Sequence, residues 1–124
     1  MADTNKKILI VEDSKNYQII LSQAFSDAGF NVSNAENGEE GLLSIQKEKP
    51  DLVLLDIEMP KMDGITMSKK LKESNIQVPV IFLTNMSDLK HISEAVETGA
   101  DYIIKSDLSV SGIVDRVKER LGLK

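Results

Sequence analysis

The run Leu52-Val53-Leu54-Leu55, closed by Asp56, constrains the fold more than any other part of the chain. It follows the turn signal Lys49-Pro50-Asp51 and is apolar at every position. A short strand with apolar residues on both faces belongs to a parallel sheet covered by helices on both sides. Ile8-Leu9-Ile10-Val11 repeats the pattern and ends in Glu12-Asp13. Acidic side chains at the carboxyl ends of such strands open into the crevice where open α/β sheets bind ligands. If the two strands are neighbours, Glu12, Asp13 and Asp56 converge, and like charges that close repel one another unless a cation holds them.

Strand-like and helix-like segments alternate five times along 124 residues, a length suited to one domain with a single sizeable core. The expected strands are 7–11, 31–34, 52–55, 80–83 and 102–104. Tyr17, Ile20, Leu21, Ala24, Phe25 and Ala28 follow helical spacing. Leu42 and Ile45 mark a second helix, residues 65–71 a third, and Leu89, Ile92, Ala95 and Val96 a fourth. Ile113, Val114, Val117 and Leu121 mark the fifth. Gly29 and Gly99 are placed to end helices, and Ser87 and Ser109 to cap the last two. Five βα units give an α/β, doubly wound parallel sheet, because right-handed crossovers put helices on both faces. Val32-Ser33-Asn34 is the most polar strand and belongs at an edge. The order 2-1-3-4-5 satisfies this, with its switch point where Glu12, Asp13 and Asp56 emerge. Residues 1–6 read as a frayed tail.

Composition narrows the function classes. The net charge is −5 with no basic block, which speaks against a nucleic-acid partner. There is no Cys, so disulfides, thiolate metal sites and Cys nucleophiles are excluded together. No apolar run approaches membrane-spanning length, and the first seven residues lack a signal-type segment. The expectation is a cytoplasmic protein with no membrane partner.

The carboxylates of Asp13 and Asp56, with Glu12 beside them, are hard oxygen ligands of the kind Mg²⁺ takes, with waters completing its shell. Taken singly, Asp56 is a turn former and Asp13 an N-cap for a helix starting near Ser14. Two further strand ends favour a site: the fourth ends in Thr84 and the fifth in Lys105. Acid, acid, hydroxyl and ammonium make a charge-balanced pocket for a metal and a phosphoryl group. An aspartate near Mg²⁺ is a known type of phosphoryl acceptor. Other signals are weaker. His91 falls mid-helix and reads as a surface residue, Met59, Met62 and Met86 as loop or rim fillers, and Asp63-Gly64 as a turn and cap.

The ordered set Glu12-Asp13, Asp56 within Leu-Leu-Asp-Ile-Glu-Met-Pro-Lys-Met-Asp-Gly, Thr84 and Lys105 closely resembles the receiver domain of two-component response regulators. The resemblance covers residues 7–121 and implies a flavodoxin-like, CheY-like (βα)5 fold filling 1–124 as a single, stand-alone domain. It further implies that a sensor histidine kinase or histidine phosphotransfer protein passes a phosphoryl group to Asp56. Asp13 and Asp56 would ligate Mg²⁺ directly, with the backbone carbonyl of Glu58 as a third ligand and Glu12 acting through water. Thr84 and Lys105 would bind phosphoryl oxygens, and Tyr102 would be the aromatic switch that alters a partner-binding surface on helix four, strand five and helix five. Such a protein promotes its own phosphotransfer and dephosphorylation without being a turnover enzyme. By the same resemblance Glu58 and Met86 flank the path of the hydrolytic water, and their chemistry predicts slow self-dephosphorylation. The chain departs from the family pattern at Ser106, where Pro often follows the Lys, at Glu12 in place of Asp, and at Asn85 in place of a small residue. Two other functions compete: a small flavin-binding electron carrier, in which Glu12-Asp13 would repel the phosphate unless a metal intervened, and a phosphatase using Asp56 as nucleophile and Glu58 as acid.

Overall fold

A computed structural model describes residues 4–85, 89–97 and 99–123. Strands and helices alternate as β1 (Lys7–Val11), α1 (Lys15–Asp27), β2 (Asn31–Ala35), α2 (Gly38–Glu48), β3 (Leu52–Asp56), α3 (Gly64–Glu73), β4 (Val80–Thr84), α4 (Leu89–Glu97), β5 (Asp101–Ile104) and α5 (Val110–Arg120). The five strands form one parallel sheet in the order β2-β1-β3-β4-β5, as the hydrophobic pattern predicts. The fold class is therefore α/β, doubly wound and flavodoxin-like.

The pleat divides the core into two. Ile8, Ile10, Leu52, Leu54, Ile81 and Leu83 point to one face and pack with Leu21 and Phe25 of α1 and Ile113 and Val117 of α5. Leu9, Val11, Val53, Leu55 and Phe82 point to the other and pack with Ile45, Ile65, Met67, Leu71 and Ala95. Burying such a side chain contributes roughly 1.5–3 kcal/mol, so the continuous apolar runs of β1 and β3 fix both strands in the middle of the sheet. Register then aligns their ends: Val11 sits opposite Leu55 and Ala35, and Asp56 opposite Leu83.

Several local expectations are corrected. β2, β3, β4 and β5 each extend one residue further, so Asp56 is the last residue of its strand and not a turn former, and Thr84 is the last residue of β4. Ser14, not Asp13, caps α1, and its hydroxyl accepts the Tyr17 N–H. Ile20 and Val96, read as core-facing, are exposed at 51% and 55%. In α1 the buried stripe runs through Gln18, Leu21 and Phe25, about one helical step away from Ile20. Residues 4–6 are not frayed: the Thr4 N–H donates to the Gly29 carbonyl at 3.0 Å, and the Asn31 N–H to the Lys6 carbonyl at 2.9 Å. Gly29 and Gly99 adopt left-handed φ values of 92° and 82°, and Ser109 and Asp63 cap α5 and α3 as expected. The Ser87 cap lies outside the described residues, as do the His91 and Met86 side chains. Among the described residues no helix is long and apolar enough to cross a membrane.

Candidate functional site

The carboxyl ends of β1 and β3 bring Glu12, Asp13 and Asp56 together, with one oxygen from each lying within 4.8 Å of the others. Glu12 and Asp56 are buried and Asp13 is exposed, so the cluster has a closed inner side and an open, wet outer one. Lys105, just past β5, reaches across the sheet end into it. Its Nζ donates to Glu12 Oε1 at 2.9 Å and lies 3.5 Å from Asp56 Oδ2. Its backbone N–H donates to the Thr84 carbonyl at 2.8 Å, which ties the β5 exit to the β4 exit.

Local structure fixes the Glu12 carboxylate and the backbone on both sides of the cluster. Glu12 Oε2 accepts the Ser14 N–H at 3.0 Å. The buried Gln18 amide donates to the Glu12 carbonyl at 3.1 Å and the Ala35 carbonyl at 3.3 Å, joining the ends of β1 and β2. After Asp56 the chain folds back sharply: the Ile57 N–H donates to the Leu83 carbonyl at 3.2 Å and the Gly64 N–H to the Ile57 carbonyl at 2.8 Å. A Cβ on Gly64 would collide with the Asp56 carbonyl oxygen, so the start of α3 approaches the site only because residue 64 has no side chain.

Electrostatics follow from this packing. Burial, and next the negative charge of Glu12, push the Asp56 carboxyl up from 3.8 to about 8; Lys105 pulls the other way. Burial alone would lower the Lys105 value, but the hydrogen bond to Glu12 and the charges of Asp56 and Glu12 together hold its ammonium above the ordinary range. Among the described residues, the three carboxylates share one ammonium, that of Lys105. The donor set fits a hard divalent ion: carboxylate oxygens at close range, beside an exposed Asp13 that leaves room for water.

The remaining predicted residues sit as follows. Thr84 is buried, and its hydroxyl donates to the Asn85 carbonyl at 3.2 Å. Asn85 and Glu58 are exposed at the rim. Tyr102 is half-buried and packs on the apolar cluster containing Phe82 and Ala95. Ser106 follows Lys105, and among the described residues no peptide bond is cis. Met86 lies outside the described residues. Sequence reading missed Ser14, Gln18 and Gly64 as parts of this site. Only Gly64 carries a signal, within Asp63-Gly64, where the sequence predicts a turn and cap.

The family profile described as "Response regulator receiver domain" matches residues 8–118. Sporulation initiation phosphotransferase F of Bacillus subtilis (strain 168) is 39% identical over 120 residues, which is 97% of each chain. The alkaline phosphatase synthesis transcriptional regulatory protein PhoP of the same organism is 35% identical over 92% of this chain and 48% of its own length. Among solved structures, a chain of the CheX-CheY-BeF3-Mg+2 complex from Borrelia burgdorferi superposes with a TM-score of 0.83 at 32% identity, covering 94% of this chain and 89% of that one.

Proposed function

The chain belongs to the response regulator receiver domain family of two-component signalling, and on that premise we propose that it is a switch phosphorylated on Asp56. A phosphohistidine on a sensor histidine kinase or a histidine phosphotransfer protein is the donor. The P–N bond to histidine breaks and a P–O bond to the Asp56 carboxylate forms. The observation that carries this reading is the convergence of Glu12, Asp13 and Asp56 with Lys105 bridging two of them. Asp13 and Asp56 would hold Mg²⁺ with the Glu58 carbonyl, and Glu12 through water. When bound, Mg²⁺ neutralises phosphoryl oxygens.

This chain's own groups do the rest. Lys105 supplies a fixed cation for the incoming oxygens. Thr84 must turn its hydroxyl from the Asn85 carbonyl toward the phosphoryl group, and that rotation makes room for Tyr102 to move inward. A downstream protein then reads the face formed by α4, β5 and α5. The match over 97% of a phosphotransferase of similar length supports reading residues 1–124 as one domain. The acidic net charge of −5 supports a protein partner over a nucleic acid or an anionic membrane surface, and the reading places the protein in the cytoplasm. Glu58 and Met86 set a slow loss of the phosphoryl group. A flavin phosphate gains no support, because among the described residues the crevice presents three carboxylates to one ammonium.

Incubation with acetyl phosphate and Mg²⁺ tests the reading. One phosphoryl group should add to wild type and none to Asp56→Asn. Labelling of Asp56→Asn to the wild-type extent would refute it.

A further inference from the structure

The Lys105 ammonium has a third contact, from outside the acidic cluster: it lies 4.7 Å from the centroid of the Tyr17 ring. We propose that Tyr17 is a positioning residue for Lys105, whose ring face holds the ammonium in the crevice so that capture of a phosphoryl ligand depends on it while metal binding does not. The proposal rests on the assignment of Lys105 as a phosphoryl-binding group.

Lysine is a flexible, strongly hydrated point charge, and holding it in one place costs rotamer entropy. The Lys105 side chain is 19% exposed, so water competes for its ammonium. Glu12 is the close partner at 2.9 Å and Asp56 the distant one at 3.5 Å. When Asp56 carries a phosphoryl group its carboxylate contact changes, and what still restrains the ammonium is Glu12 and the ring. An aromatic face within about 6 Å attracts a cation through its quadrupole and covers it from solvent.

The ring is not there by chance of rotamer. Tyr17 lies in the first turn of α1, and its N–H donates to the Ser14 hydroxyl at 3.4 Å. The Ser14 N–H in turn donates to Glu12 Oε2 at 3.0 Å, while Glu12 Oε1 takes Lys105. Glu12, Ser14, Tyr17 and Lys105 therefore close a circuit in which one carboxylate fixes both the ammonium and the helix cap that aims the ring. The body of Tyr17 packs half-buried on the cluster of Leu21 and Phe25, so Tyr17→Leu would retain the packing and lose the charge contact.

The test uses the full chain and two ligands, Mg²⁺ alone and beryllofluoride with saturating Mg²⁺, followed by amide NMR. Tyr17→Leu should weaken beryllofluoride binding about 3- to 30-fold, the range of one partly desolvated cation–π contact. Its Mg²⁺ affinity should stay within about twofold of wild type, and Tyr17→Phe should restore beryllofluoride binding. In a Lys105→Met background, Tyr17→Leu should have no further effect. The Lys105 side-chain protons next to Nζ should show an upfield ring-current shift in wild type that vanishes in Tyr17→Leu. The proposal is overturned if Tyr17→Leu binds beryllofluoride as wild type does, if both ligands weaken alike, or if Tyr17→Phe fails as Tyr17→Leu does. Wild type that binds no beryllofluoride would instead overturn the phosphoryl-binding assignment itself, with the ring-current shift still reporting on the contact.

Discussion

At the amino end of the sheet Arg120 lies 3.6 Å from Asp101, with both side chains about half exposed at 47% and 55%. The Lys7 N–H there donates to Asp51 Oδ2 at 2.8 Å and its Nζ to the Glu48 carbonyl at 3.3 Å, again at the surface. At the carboxyl end Lys105 meets Glu12 and Asp56 at similar distances, but the carboxylate side chains are 1% and 7% exposed. The two ends carry the same kinds of group. Water screens one set, whereas the other must balance its charges internally, because the attraction or repulsion between two charges grows several-fold as the effective dielectric falls. Burial of charge, not its amount, separates a ligand site from a solvated rim.

That contrast breaks most readily at Lys105. Lys105→Met leaves Glu12 and Asp56 buried without their cation and should cost about 3–5 kcal/mol of metal-free stability in urea denaturation. Added Mg²⁺ should recover part of the loss. A cost no larger than that of a surface pair would show that the carboxyl end behaves like the amino end.

Asp56→Asn works in the opposite direction. The folded Asp56 binds its proton more tightly than the unfolded chain, with its value raised from 3.8 to about 8. Its contribution to stability is fully present below its unfolded value and is lost as pH rises through 8. Metal-free wild type should therefore lose stability relative to Asp56→Asn between pH 5 and 8, as read by paired urea titrations at about those two pH values. At neutral pH Asp56→Asn should be more stable than wild type by about 1–4 kcal/mol. Equal slopes with pH in the two proteins would contradict this.

Gly64→Ala probes the backbone wall of the same end. The new methyl meets the Asp56 carbonyl oxygen, so the loop must shift, at about 1–3 kcal/mol, and the Mg²⁺ affinity should fall with it. Unchanged stability and metal affinity would show that α3 does not set the position of Asp56. The smallest effect belongs to the control at the other end: Arg120→Ala should change stability by about 0–1 kcal/mol and leave Mg²⁺ affinity as it was.

The sheet was legible because β1 and β3 each carry four consecutive apolar residues, 8–11 and 52–55, a pattern that two-sided burial explains. Glu12, Asp13, Asp56, Thr84 and Lys105 were legible for a related reason: each stands where an apolar run stops. Gln18 was not, since a polar residue inside an apolar helical pattern looks solvent-facing until its amide is seen bonding two carbonyls. Ile20 and Val96 misled in the complementary way, because periodicity locates a stripe only to within about one helical step. Tyr17 fits both a core helix and a cation contact, and only the path of the Lys105 side chain distinguishes them.

The most direct test of the claim that burial makes this site is the titration of the Asp56 side-chain carboxyl by ¹³C NMR, with and without Mg²⁺. In the metal-free protein the midpoint should lie far above the ordinary carboxylate value, near 8, and Mg²⁺ should draw it sharply down by favouring the ionised form. A metal-free midpoint at the ordinary 3.8, unmoved by Mg²⁺, would mean that the carboxyl end is as well solvated as the amino end.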